Sequence, residues 1–208
     1  MRLEAEQAIG SAVQEVNDAL SLIQNLNQTI VEYGEGGPAP DLLDQRDSAI
    51  NVLAKHLDVR VNVQNNGAVS ISTRSGLSLF DTQAVRFAFD ERSAMSAQAT
   101  WTNDPATSGA GTVRVIGVNG ADTNVFAGNY LRTGSIAALR DLRDNQLVEA
   151  QRQLDELASM VALAASSVTE QGQAVVVGPN AGCELDLTGL QPGNVVRLTV
   201  DNAGAPQT

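Results

Sequence analysis

The run Pro40-Asp41-Leu42-Leu43-Asp44-Gln45-Arg46-Asp47 decides how this chain is read. It follows Gly34-Glu35-Gly36-Gly37-Pro38-Ala39, a stretch that cannot continue a helix. Glycines favour an open loop there, and each proline biases its predecessor away from the helical region. Asp41 then stands where an N-cap is expected, with Asp44 in the first turn, where the helix dipole favours an acid. Leu43, Ile50, Leu53 and Leu57 continue at heptad-compatible spacing to about Asp58.

Working outward, Ile9, Val13, Val16, Leu20, Ile23 and Ile30 alternate steps of four and three, with Asn27 in the one missing place. That spacing predicts a helix from about Leu3 to Tyr33 with one apolar seam, widened by Leu22 and Leu26. Asn27 has two readings: a polar seam residue that fixes register at a cost in stability, or an edge residue facing solvent. A short loop between the two helices predicts an antiparallel pair.

At Asp58 the period changes to two. Val59, Val61 and Val63 alternate with Arg60 and Asn62, Asn65-Asn66-Gly67 offers a tight turn, and Ala68-Val69-Ser70-Ile71-Ser72 pairs back as a hairpin. Further short strands are expected at 77–80, 84–89, 97–101 and 112–118. Thr133-Gly134-Ser135 ends the pattern, with Ser135 as N-cap of a third helix. A second charged opening, Leu139-Arg140-Asp141-Leu142-Arg143-Asp144-Asn145, leads into a seam of Leu147, Ala150, Leu154, Leu157, Val161, Ala164 and Val168. After Gln171, strands are expected at 174–177, 184–187 and 195–200.

The expected fold is therefore α+β. Residues 1–58 and 133–170 form an antiparallel three-helix, rod-like bundle, and 59–132 an inserted, mainly antiparallel β domain. Residues 171–208 form a β-rich C-terminal segment, read as the start of a further domain cut short. The bundle seam is Val16, Leu20, Ile23, Ile50, Leu53, Leu147, Leu154, Leu157 and Val161. If that seam is buried, Leu154→Ala costs about 2–5 kcal/mol. A seam satisfied inside the bundle also predicts that the fragment is monomeric.

Composition narrows the function. Of 208 residues, 43% are apolar and 18% charged, the balance of an ordinary globular chain. Aromatics are only 3%, so the core must be aliphatic. A net charge of −11 with the single lysine Lys55 argues against nucleic acid and against an anionic membrane surface. Cys183 stands alone, so no internal disulfide forms, and one cysteine with one histidine, His56, makes no metal site. No apolar run reaches the ~18 residues that span a bilayer, and no cleavable signal is seen.

No catalytic constellation emerges, and no cofactor is implied. His56 reads as a histidine at a helix C-terminus rather than a base or ligand. Cys183 has nothing nearby to lower its pKa. Asn119-Gly120-Ala121-Asp122-Thr123-Asn124 lacks the ligand spacing of a calcium loop and reads as a β-turn. Gly109-Ala110-Gly111 has no following helix or lysine to cradle phosphate. The polar feature of interest is the pair of Arg-Asp clusters: Asp41, Asp44, Arg46 and Asp47 around Leu43, and Arg140, Asp141, Arg143 and Asp144. As a catalytic carboxylate pair they lack an electrophile and a pocket. An ion-pair and capping network that fixes the helices on the β unit is the preferred reading, ahead of a solvated charged face.

At these residues the sequence resembles the FlgK family, the flagellar hook-associated proteins of the hook–filament junction. The resemblance rests on the Val16-Asn17 to Leu26-Asn27 heptads, Asp41-Leu42-Leu43-Asp44-Gln45-Arg46-Asp47 and the Val59 to Val63 strand. It continues through Thr133-Gly134-Ser135-Ile136 with Leu142-Arg143-Asp144, and the Leu154 to Val168 helix. It covers about residues 5 to 170. Ala137-Ala138 and Ser166-Ser167 depart from the family pattern, as does the segment after Gln171. The resemblance implies a non-enzymatic, extracellular subunit of the bacterial flagellum, exported by the type III apparatus without a cleavable signal peptide. The implied partners are other copies of itself in a ring, hook protein, the adjoining junction or filament proteins, and an export chaperone for a C-terminal helix. The alternatives are another flagellar axial or cap protein, a phage-tail-like fibre segment, a surface adhesin with its β domain on a helical stalk, or an enzyme whose site lies elsewhere in a longer chain.

Overall fold

The structure is a computed structural model that describes residues 1–33, 40–128, 130–191, 193–202 and 205–207. The loop expected at 34–39 lies outside them. Two compact units are present, Met1–Leu157 and Ala158–Thr208.

Helix α1 (Arg2–Glu32) follows the heptad seam, and Ile9, Val16, Leu20, Ile23 and Ile30 are all buried. Helix α2 (Pro40–His56) returns antiparallel, which brings His56 at its end to Glu15 in the first half of α1. It starts at Pro40, whose fixed φ suits a first helical position, so Asp41 lies within the first turn rather than at the cap.

Strands β1 (Val59–Val63), β2 (Val69–Thr73) and β3 (Ser78–Phe80) form one antiparallel sheet in sequence order. The hairpin register closes at Val63 opposite Val69, across a turn that needs Gly67 at φ 80°. Strands β4 (Arg86–Phe89), β5 (Val113–Ile116) and β6 (Asp122–Asn124) form a second antiparallel sheet. Residues 97–101, expected as a strand, are a loop. Of the run Asn119 to Asn124 read as a β-turn, Asp122–Asn124 is instead strand β6, which has no apolar alternation to announce it.

Helix α3 (Ser135–Asp141), a π-helical turn (Leu142–Gln146) and α4 (Leu147–Ser166) run on from one another. Gly134 at φ 94°, not Ser135, occupies the N-cap. In the second unit, β7 (Gln173–Val177) pairs antiparallel with β8 (Asn180–Glu184), and β9 (Val200–Asn202) with β10 (Ala205–Gln207). The strands expected at 184–187 and 195–200 therefore fall elsewhere.

Helices and sheets of the first unit share one core. Leu20 and Ile23 of α1 and Leu53 of α2 belong to the same cluster as Ile71, Phe80, Phe87, Val113 and Ile136. Of the expected seam, Val16, Leu20, Ile23 and Leu53 are buried and Ile50 packs partly against the core. The third-helix seam is a correction. Leu147 is half-buried, while Leu154, Leu157 and Val161 are 61%, 58% and 59% exposed. Heptad spacing specifies an apolar stripe but not a cover for it. On the core side, the stripe of α1 is already covered by α2, the strands and α3.

Candidate functional site

The polar centre of the first unit is built on two fully buried charges, Arg143 and Glu6. Arg143 Nη1 donates to Glu6 Oε2 and, at 3.0 Å, to the Gly111 carbonyl. Its Nε and Nη2 form a fork on Asp144 at 2.6 and 2.7 Å. The other Glu6 oxygen, Oε1, accepts the backbone N–H groups of Gly111 at 2.8 Å and Arg92 at 2.9 Å. Burial alone would drive the Arg143 pKa down. The bidentate Asp144 contact and the Asp144 and Glu6 charges more than offset this and hold it above its usual value. Arg143 is thus a permanent cation.

Local structure explains how these groups meet. The π-helical turn carries Arg143 and Asp144, and a turn of this kind inserts a residue into the helical repeat and re-aims its side chains. Asp141 braces it by accepting from Asn145 Nδ2 and Gln146 Nε2, which holds the Asp141 carboxyl below its usual range. Gly111 must be glycine. A Cβ there would lie 2.5 Å from Glu6 Oε1 and 2.7 Å from the Asp90 carbonyl. Arg2, one turn before Glu6, donates to the carbonyls of Arg143, Ser96, Ala97 and Ala99 and so holds the 96–99 loop. Arg140 lies over the Trp101 and Phe126 rings at 5.3 and 5.0 Å, and those rings meet edge to face.

The first Arg-Asp cluster behaves differently. Arg46 is buried and Nη1 donates to the Gly67 carbonyl at 2.7 Å, tying α2 to the β1–β2 turn. Asp41, Asp44 and Asp47 are exposed and Leu43 is half-buried. Among the described residues none of these three acids forms an ion pair with Arg46.

A third cluster joins the helices. His56, buried at the end of α2, bonds Ser135 Oγ through Nδ1 at 2.6 Å and Glu15 Oε2 through Nε2 at 2.9 Å. Its bond and the Lys55 charge hold the Glu15 carboxyl below its usual range. A serine, histidine and carboxylate in line resemble a nucleophile and its base, but His56 is buried and neither it nor Ser135 lines the cavity between α1 and α2 or the one around Glu170 to Thr188. The cluster ties α1, α2 and α3 together. Asn27 belongs to the same kind of work: it is buried, and its Oδ1 accepts the Val69 N–H at 2.8 Å. Asn17 clamps both the N–H and the carbonyl of Phe87.

Sequence reasoning missed Glu6, Gly111, Arg2 and Asn17. For Glu6 a signal existed: it lies three residues before Ile9, on the apolar seam itself. An acid there needs a buried cation. Gly111 gave no local sign, because its partners come from residues 6 and 143.

Among the described residues no group of histidine, cysteine and acids is placed to hold a metal. Nor is any described helix long and apolar enough to cross a membrane. Among the described residues the buried Glu6, Asn27, Arg46, His56 and Arg143 each tie one element of the first unit to another. Residues 1–184 match the family description "Flagellar hook-associated protein FlgK helical domain", and the chain belongs to that family. It is 31% identical over 155 residues to flagellar hook-associated protein 1 of Salmonella typhimurium, covering 73% of this chain and 26% of that protein. The Escherichia coli protein of the same description is 29% identical over an equal span. A solved structure, the flagellar hook junction protein FlgK from Burkholderia pseudomallei, superposes with a TM-score of 0.53 at 25% identity. That match covers 68% of this chain and 24% of that one. The chain therefore spans about a quarter of the length of the relatives it matches.

Proposed function

We propose that this chain is part of a structural subunit of the bacterial flagellum that joins hook to filament and is needed for flagellum assembly. The observation that carries the reading is the match of residues 1–184 to the helical domain of the family. The geometry agrees in kind. Its two fully buried charges, Arg143 and Glu6, are satisfied by each other, by Asp144 and by backbone, as suits a rigid building block. Arg46 ties α2 to the β1–β2 turn, and Arg143, steadied by Asp144, ties the π-helical turn to α1 and to the Gly111 backbone, whereas Asp41, Asp44 and Asp47 form a solvated face. The α1–α2 pair and the open seam of α4 are surfaces from which a rod-like bundle is built in the assembled subunit. Such a subunit is not an enzyme and works outside the cell, exported without a cleavable signal. It contacts further copies of itself, hook protein and the adjoining junction or filament proteins, and a chaperone attends its export.

The test is immunogold electron microscopy of flagellated cells of the source organism, with antibody raised against these 208 residues. A single narrow band where hook meets filament is expected. Label along the filament, at its tip or on the cell body would replace the junction with a filament, cap or adhesin role.

A further inference from the structure

Two hairpin turns carry the same dipeptide in the same backbone geometry. In Gln64-Asn65-Asn66-Gly67-Ala68 the Gly67 N–H donates to the Gln64 carbonyl at 3.0 Å, and the Gln64 N–H to the Ala68 carbonyl at 2.7 Å. In Gly117-Val118-Asn119-Gly120-Ala121, between β5 and β6, the matching bonds are 2.9 and 2.7 Å. Gly67 and Gly120 have φ of 80° and 79°. Asn66 and Asn119 each accept, through Oδ1, the N–H two residues on at 3.1 Å. An asparagine before glycine is chemically fragile, because no side chain shields the next backbone nitrogen from the amide carbon. These bonds protect it. They occupy the glycine N–H and fix the asparagine side chain, so the dipeptide reacts only while its turn is open.

What holds the two turns closed differs. The Gly67 carbonyl accepts Nη1 of the buried Arg46 at 2.7 Å, and a Cβ on Gly67 would rest 3.5 Å from Ile30. Ala68 and Val69 beside it are buried, and Asn27 of α1 accepts the Val69 N–H. Opening that turn disturbs both α1 and α2. At the other turn Val118, Asn119, Gly120 and Ala121 are all exposed. Among the described residues nothing beyond its chain neighbours lies within 4 Å of where a Gly120 Cβ would stand. Opening it breaks bonds within the hairpin alone.

We propose that Asn119 is a site of spontaneous deamidation and that Asn66 is spared. The Gly120 nitrogen attacks Asn119 Cγ, the Cγ–Nδ2 bond breaks, and the Gly120 proton passes through solvent to the departing ammonia. Water then opens the cyclic imide at either carbonyl, giving aspartate or isoaspartate, each with a new negative charge. Aspartate keeps an acceptor for the Ala121 N–H. Isoaspartate routes the backbone through the side-chain carbon, so it loses that acceptor and lengthens the turn into β6, an edge strand of its sheet.

The assignment does not depend on the flagellar reading. It is tested by holding the 208-residue chain in mildly alkaline buffer, folded or in guanidinium, and mapping its peptides by mass spectrometry over time. Denatured, the two sites should react at similar rates, since each asparagine precedes glycine. Folded, Asn119 should outpace Asn66 by about tenfold or more, which is what one hydrogen bond to a buried charge is worth. Asn119→Ser should keep the fold and lose the product, because Ser75-Gly76 makes the same turn bonds between β2 and β3. Equal rates in the folded chain, a faster Asn66, or an Asn119 still intact when the denatured chain has reacted would each overturn the proposal.

Discussion

At the scale of single residues, the stability of the first unit turns on Arg143. Buried ion pairs carry a large desolvation cost, so what matters is whether every charge keeps its partners. Truncating Arg143 to Ala leaves Glu6 buried with no cation, and about 3–5 kcal/mol should be lost in urea denaturation. Adding Glu6→Gln to Arg143→Met should restore part of that loss, because the uncompensated charge is gone. A double variant that is no better than the single would mean that Glu6 is not the partner that matters. Glu15 gives a pH-dependent counterpart. Its pKa is held below the usual 4.5 by the His56 bond and then by Lys55. A depressed carboxyl stabilises the fold above its unfolded pKa, and that contribution disappears as the pH falls through the folded value. Wild type should therefore melt above Glu15→Gln near neutral pH, and the gap in Tm should close below 4.5. The gap should be modest, since the Glu15 side chain is half-exposed.

At the scale of elements, what was legible in the sequence is what short-range periodicity encodes. Val16, Leu20 and Ile23 announce α1, and the Val59–Val63 alternation with Asn66-Gly67 announces the first hairpin, because both signals are local. Ser135 was misplaced by one position. The cap is a glycine whose need is tertiary: a Cβ on Gly134 would lie 2.3 Å from the His56 carbonyl oxygen. With φ at 94° as well, Gly134→Ala should cost well over ~1 kcal/mol, read as a lower Tm. The α4 seam marks the opposite limit, a periodic stripe without a cover. Leu53→Ala, at a fully buried site, should cost about 2–5 kcal/mol. Leu154→Ala, 61% exposed, should change stability by no more than about 0.5 kcal/mol. A large loss at Leu154 in the isolated chain would mean that the seam is covered in solution.

At the scale of the whole molecule, the sequence suggested a bundle carrying a separate β domain, whereas helices and strands of the first unit share one core. Pattern could not reveal that. The contacts that fuse them, Glu6 to Arg143 and Asn27 to Val69, join residues 137 and 42 apart through single side chains. Such contacts leave no local period. Their placement has a consequence for folding. Every buried apolar residue among those described lies between Ala5 and Ile136, and the buried charges extend only to Arg143. The second unit, Ala158–Thr208, contributes no residue to that core. A chain ending at Leu157 should therefore unfold in one cooperative step, with the same urea midpoint as the major transition of the 208-residue chain. A chain ending at Asp141 keeps the apolar core, with Phe80, Phe87 and Phe126 among its aliphatic residues, but strips Glu6 of its cation. It should lose the cooperative transition or move it to much lower urea, because a buried charge without its partner outweighs much of a small domain's net stability. If both chains melted alike, the apolar core alone would hold the unit together and the Arg143 network would be incidental to it.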